Sequence, residues 1–272
     1  MPERTFYADS WMTYDVHDGS LILETGDVSL HGGRPSATVF VGPDERLIQI
    51  TPQGTSTKII GRRQTPGGPT MERTWRWVHP QGYILTWTVS RLEYLPGVTL
   101  RAVFTNGSSE PVRLHEITLC QTGDTGLVVT GNPCTWWLST LEPLHRVGNL
   151  GEVLPSQNEE TIKMWEGFGM PVPNALPTDE RSTDGHWREF GDYVTLYTDG
   201  GQRGLVMGAV GPAEADVRFD FRVENGKARL GIISEMTDVL VAPGESRRSE
   251  EVLILAGPYD SALENLLRWI AA

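Results

Sequence analysis

The stretch Val217-Arg218-Phe219-Asp220-Phe221-Arg222-Val223-Glu224-Asn225-Gly226-Lys227-Ala228-Arg229-Leu230-Gly231-Ile232 decides the fold class of this chain. Its first half alternates apolar and charged residues with a period of two, the pattern of a strand with one buried face. Asn225-Gly226 accepts positive φ at both central positions of a type I′ turn. That turn sets Val223 opposite Ala228, Phe221 opposite Leu230 and Phe219 opposite Ile232, so an antiparallel hairpin with one apolar face is predicted.

The same period recurs upstream. Tyr83, Leu85, Trp87 and Val89 alternate with Ile84, Thr86, Thr88 and Ser90. Pro96-Gly97 turns the chain into a return strand with Val98, Leu100, Ala102 and Phe104 inward, and Asn106-Gly107 turns it again. Val112 to Cys120 is also strand-like, but its phase slips. Val112 and Leu114 share one face while Ile117 and Leu119 take the other, which predicts a bulge at His115-Glu116. Short β-like runs at Ser20 to Glu24, Thr38 to Phe40, Leu47 to Thr51 and Tyr193 to Tyr197 bring the expectation to about sixteen strands. Gly61 to Met71 and the Pro-rich Met170 to Gly185 read as long loops. So many strands imply two large sheets face to face, an all-β antiparallel sandwich.

After a turn at Pro243-Gly244 and a strand over Ser249 to Ala256, Ser261-x-x-Glu264 reads as a capping box opening one short C-terminal helix. Residues 1–258 form the β domain and residues 259–272 the amphipathic helix. The apolar stripe of that helix is Leu263, Leu266, Leu267 and Ile270, which either the β domain or a neighbour must cover. The charge run Glu245 to Glu251 reads as a solvated strand edge or turn.

Composition bounds the function. The chain has 272 residues and a formal net charge of −12, which argues against nucleic acid, since phosphate binding relies on clustered Lys and Arg. Met1-Pro2-Glu3-Arg4 lacks the apolar core of a signal peptide and no stretch approaches a membrane span, so a cytoplasmic protein is expected. Cys120 and Cys134 are the only cysteines and read as buried small residues rather than a bridge. His17, His31, His79, His115, His145 and His186 show no metal-ligand spacing, and no phosphate loop follows a strand into a helix, so neither metal nor nucleotide cofactor is expected.

Aromatic residues supply the binding candidates. Trp75, Trp77 and His79 fall on one strand face, where they would stack on a sugar or, as bulky aromatics usually do, fill the core. Trp136 and Trp137 point to opposite sides of a strand, so one of them needs a cover. His186 and Trp187, with Arg188, flank the Pro-rich segment with donors around an aromatic ring, a composition suited to carbohydrate or to an ordinary surface loop. His115, Glu116, His79 and Glu166 are the ionisable groups that an enzyme built on the sheet face would need.

The run Phe219-Asp220-Phe221-Arg222-Val223-Glu224-Asn225-Gly226-Lys227, then Ala242-Pro243-Gly244-Glu245-Ser246-Arg247-Arg248-Ser249-Glu250-Glu251-Val252-Leu253-Ile254-Leu255, then Ser261-Ala262-Leu263-Glu264-Asn265-Leu266-Leu267-Arg268-Trp269 resembles the N-terminal β-supersandwich domain of family 36 glycoside hydrolases, the α-galactosidases. Asp18-Gly19-Ser20-Leu21 and Leu92-Glu93-Tyr94 add to it. The resemblance implies a galactose-mutarotase-like supersandwich that precedes a catalytic barrel. The family's Lys-Trp-Asp nucleophile motif and its Ser-Asp acid/base motif do not occur here, so no catalytic residue carries over. The function implied by the resemblance is that of a non-catalytic domain supporting recognition of α-galactosides and oligomer assembly, with the helix stripe meeting the barrel or a second copy. The alternatives are a stand-alone mutarotase, epimerase or lyase, or a sugar-binding module.

Overall fold

The computed structural model describes the backbone of residues 3–7, 10–17, 19–53, 56–123, 125–130, 137–141, 145–149, 185–190, 193–197, 203–211, 215–224 and 227–271, with side chains at 12–16, 19–53, 56–123, 125–130, 193–197, 203–211, 215–222 and 227–271. In chain order the strands begin with β1 Glu3–Tyr7, β2 Ser10–His17, β3 Ser20–Glu24, β4 Val28–Val41 and β5 Arg46–Ile50. Next come β6 Thr57–Thr65, β7 Gly68–Val78, β8 Tyr83–Leu92, β9 Gly97–Asn106 and β10 Val112–Gln121. The middle of the chain gives β11 Leu127–Val129, β12 Trp137–Leu141, β13 His145–Asn149, β14 Gly185–Phe190 and β15 Tyr193–Tyr197. The last are β16 Gly204–Ala209, β17 Asp216–Glu224, β18 Lys227–Val241, β19 Ser246–Arg248 and β20 Val252–Gly257, followed by helix α1 Tyr259–Ile270.

These strands form two ten-stranded antiparallel sheets. The first runs β1-β2-β3-β4-β10-β18-β17-β14, with β5 and β11 pairing off that path; the second runs β13-β12-β15-β16-β20-β9-β8-β7-β6, with β19 on β9. The fold is thus the all-β two-layer sandwich that the alternation requires. Val223 pairs with Ala228, Phe221 with Leu230 and Phe219 with Ile232, the register the Asn-Gly turn dictates. Asn225 and Gly226 themselves lie outside the described residues.

The core is built from the inward parities of the long strands. Phe219, Phe221, Leu230 and Ile232 from the first sheet meet Leu85, Trp87, Val89, Leu100 and Phe104 from the second, all fully buried. Each such side chain stabilises the fold by about 1.5–3 kcal/mol through apolar area removed from water. Cys120 is a free, buried thiol among them, its pKa pushed up to about 12 by burial; Cys134 lies outside the described residues.

Consecutive strands β9 and β10 belong to opposite sheets, and Asn106 marks the crossing. Its buried side-chain amide donates to the carbonyls of Glu110 at 2.8 Å and Val241 at 3.0 Å, while Oδ1 accepts from the backbone N–H of Ser108 at 3.1 Å. The chain crosses back between β18 and β19, where the Asn106 carbonyl accepts from Gly244 at 2.6 Å. Asn106-Gly107 is therefore a passage between layers rather than a hairpin turn.

Four further expectations need correction. Gly61 to Met71 is not a loop but part of the β6/β7 hairpin, closed by Thr65 and Gly68. Its strand character is hidden because β6 is the sheet edge and shows water on both faces, with Ile59 and Ile60 60% and 65% exposed. The segment from Ser246 to Gly257 is two strands, interrupted at Ser249–Glu251. Ser261 caps nothing: α1 starts at Tyr259 behind Pro258 with no side-chain cap, and Glu264 instead pairs with Arg268 at 2.6 Å one turn on. The buried stripe of α1 is Ala262, Leu266 and Trp269, set on Leu253, Leu255 and Val206 of the second sheet; Leu263 is partly covered, and Leu267 and Ile270 stay 48% and 46% exposed.

Candidate functional site: a charge-lined groove beside the C-terminal helix

Of the aromatic candidates, Trp75 and Trp77 are core residues, 3% and 4% exposed, with Trp75 tilted against Trp87 at 5.7 Å between ring centroids. Neither has a ring face open to a sugar. His79 sits half-buried at the β7/β8 turn, stacked on Tyr83 at 5.9 Å. Trp136 lies outside the described residues. Trp137 pairs with Tyr197 in register, and His186 and Trp187 pair with Arg222 and Phe221, but their side chains lie outside the described residues, as do Glu166 and Met170 to Asp184 of the Pro-rich segment.

The bulge expected at His115-Glu116 is present, as register shifts against both β4 and β18 between Leu114 and Glu116. His115 stands edge-on to Phe40 at 5.4 Å, and Glu116 accepts from Thr38 Oγ1 at 3.3 Å. Phe40 and Thr38 lie two residues apart on β4 and share a face, so the bulge brings His115 and Glu116 to the same side. Both are engaged there: Asp238 meets His115 Nδ1 at 2.8 Å, and Arg218 bridges Glu116, at 3.2 Å, and Glu235.

A concave site lies on the outer face of the second sheet, where five distant segments meet. Gln64, Thr65 and Pro66 come from the β6/β7 turn, Arg101 from β9, Val210-Gly211 from the end of β16, Arg248 to Glu251 from the β19/β20 break, and Trp269 from α1. The cavity measures about 280 Å3. Its floor is an ion-pair network. Arg63 grips Glu251 through both terminal nitrogens, one at 2.9 Å, and its Nε lies 2.9 Å from Glu72 in an ion pair. Arg101 gives one nitrogen to Glu72 at 2.9 Å, and Thr99 Oγ1 donates to Glu251 at 2.6 Å. Burial pushes the Glu251 carboxyl up, but the hydrogen bonds from Arg63 and Thr99 and the charges of Arg63 and Arg101 together outweigh it and hold it below the ordinary carboxylate range.

The break between β19 and β20 is held by its own side chains. Ser249 Oγ accepts from the Ala102 N–H at 2.9 Å, and buried Glu250 accepts from the Ala215 N–H at 3.0 Å. The run Glu245 to Glu251 is thus solvated only in its first half, and Ser249 and Glu250 are 3% exposed. Trp269 closes the groove: a Cβ on Gly67 would fall 2.2 Å from its Cζ3, so only glycine lets the hairpin turn pass under the ring. Both carboxylates are engaged by protein donors, Glu251 by Arg63 and Thr99 and Glu250 by the Ala215 N–H.

The sequence matches no family model and no curated protein. Solved structures do match in fold. The GH36 α-galactosidase AgaB of Geobacillus stearothermophilus superposes with a TM-score of 0.56 at 11% identity, over 94% of this chain and 40% of that one. The fold is that of part of a GH36 α-galactosidase. The α-N-acetylgalactosaminidase NagBb of Bifidobacterium bifidum gives 0.55 at 9% identity, over 99% and 39%, and the α-galactosidase of Lactobacillus brevis 0.55 at 10%, over 95% and 39%. The chain spans about two-fifths of the length of these structures.

The sequence reasoning missed the groove. Its charged members are separated by up to 188 residues, as Arg63 and Glu251 are, and no local spacing announces them. One signal was available: Glu250-Glu251 stands directly before the apolar run Val252 to Leu255, a place where an unpaired carboxylate would be costly.

Proposed function

We propose that this β-sandwich is the non-catalytic domain of an α-galactosidase-like glycoside hydrolase, supporting carbohydrate recognition and oligomer assembly. One observation carries the reading: the fold superposes over nearly all of this chain and over only two-fifths of the GH36 structures it resembles. The arginine-paired carboxylates of the groove fit it, since they suit binding and support better than proton transfer. Leu267 and Ile270, exposed on the free side of α1, are the residues offered to a catalytic domain or a second copy. The test is proton NMR of melibiose and raffinose with stoichiometric protein, together with light scattering. The reading expects no new galactose signal and self-association that falls when Leu267 and Ile270 become Ser. Release of galactose by the chain alone would overturn it.

A second reading, a stand-alone mutarotase or lyase, is favoured by one feature: the bulge sets His115 and Glu116 on one face. Accelerated anomer exchange that disappears in His115→Ala would establish it in place of the first.

A further inference from the structure

We propose that strand β6, the free edge of the second sheet, is an addition site for one extended acidic segment of a partner protein. β6 ends the sheet order, and no described strand pairs with its outer side. Thr57–Thr65 run in unbroken antiparallel register with β7, so neither a bulge nor a proline turns the free backbone groups away. Natural edges are blunted by such devices.

The edge also overhangs the sandwich. Ile60 pairs with Arg73, which has the same parity on β7 as the buried Trp75 and Trp77, and so it points to the side of the first sheet. It is nevertheless 65% exposed, so the first sheet stops short of it. Ile59, on the other face, is 60% exposed. An added strand would take up the free backbone groups and cover one isoleucine with each of its faces.

Charge names the occupant. From Arg46 to Met71 the sequence holds four cations and no carboxylate, in a chain with 35 acidic and 23 basic residues. Lys58, Ile60 and Arg62 share one face in the order cation, apolar, cation. Neither cation makes an ion pair among the described residues: the Lys58 ammonium lies 5.7 Å from the centre of the Trp75 ring, and Arg62 stands exposed. Arg63, on the opposite face, is committed to Glu72 and Glu251. Arg76 of β7, paired with Thr57, adds one more exposed cation beside the edge. A second copy would bring the same cations to the seam, where like charges repel. An acidic segment instead sets two carboxylates four residues apart, roughly 13 Å along a strand, around one apolar residue.

The experiment uses the whole chain and a fluorescein-labelled peptide, Thr-Glu-Thr-Val-Val-Glu-Thr, whose carboxylates have that spacing. Fluorescence anisotropy should show saturable binding that weakens as salt is raised, and hydrogen exchange should slow at the amides of Thr57 to Thr65. Replacing both Glu of the peptide by Gln should weaken binding about tenfold, the worth of two exposed ion pairs. The double variant Lys58→Glu/Arg62→Glu should lose the acidic peptide and bind one in which both Glu are Lys. Both side chains are exposed, so this variant keeps the fold. Equal binding of the Gln peptide, protection that falls outside β6, or no binding of the acidic peptide would each overturn the proposal. Dimerisation of the free chain that disappears in Ile60→Lys would overturn it in favour of a second copy on this edge.

Discussion

His115 Nδ1 stands 2.8 Å from a carboxylate oxygen of Asp238 across the bulge between β10 and β18, where Asp238 and its neighbour Thr237 both adopt left-handed backbone at φ 59° and 50°. Both partners are more than two-fifths exposed, so the pair contributes at most about 1 kcal/mol in itself. Its structural effect is to hold a two-residue left-handed step in the middle of a 15-residue strand.

A β-branched residue in that conformation costs about 1–2 kcal/mol, against roughly 0.5–1 kcal/mol of extra chain entropy for glycine. Thr237→Gly is therefore expected to raise stability by about 0.5–1 kcal/mol. A urea midpoint that rises at constant slope would show it; a lower midpoint would mean that the Thr237 side chain contributes more than its backbone costs.

Trp75→Ala is expected to lose about 3–5 kcal/mol, the range for emptying an aromatic core site, and to leave any sugar affinity of the folded protein unchanged. A variant that folds as well as the parent but binds less sugar would make this ring a binding residue after all.

Leu266→Ala and Ile270→Ala separate the two sides of α1. The first empties a fully buried site and should cost about 2–5 kcal/mol, whereas the second should stay within about 0.5 kcal/mol in the monomer. Equal effects on thermal unfolding at low protein concentration would mean that the helix packs differently. For the same reason, removing Ser261 to Ala272 should unfold part of the second sheet rather than improve solubility.

Glu251 makes stability depend on pH. Its carboxyl is held below its unfolded value, so the unfolded chain binds the proton more readily. The resulting stability is complete above the unfolded carboxylate pKa, about 4.3, and is lost as the pH falls through the lower folded value. Denaturation midpoints measured from pH 7 to pH 3 should fall more steeply in the parent than in Glu251→Gln; parallel curves would show that the network is not coupled to folding.

Much of the architecture was legible because period two is a local property. The Phe219/Ile232 register follows from a two-residue turn and strict alternation, and the His115 bulge follows from one slip of parity. The β6 edge strand was illegible for the converse reason: with both faces wet, alternation carries no apolar signal. The helix stripe was misplaced by weighting leucines over Trp269, although Ala262, Leu266 and Trp269 keep the helical spacing. The groove could not be read at all, since Arg63, Arg101, Glu251 and Trp269 meet only after both sheets are assembled.

Asn106 gives the sandwich a spine. The outbound passage from the second sheet to the first and the return passage after β18 both hang on this one buried amide and its peptide group. The layers are bound along that rim as pages are bound in a book, so they cannot part there without stranding the Val241 and Glu110 carbonyls in a dry place. The two sheets are therefore expected to separate late at this rim, and the peptide N–H of Asn106, bonded to the Glu245 carbonyl, should exchange slowly with solvent.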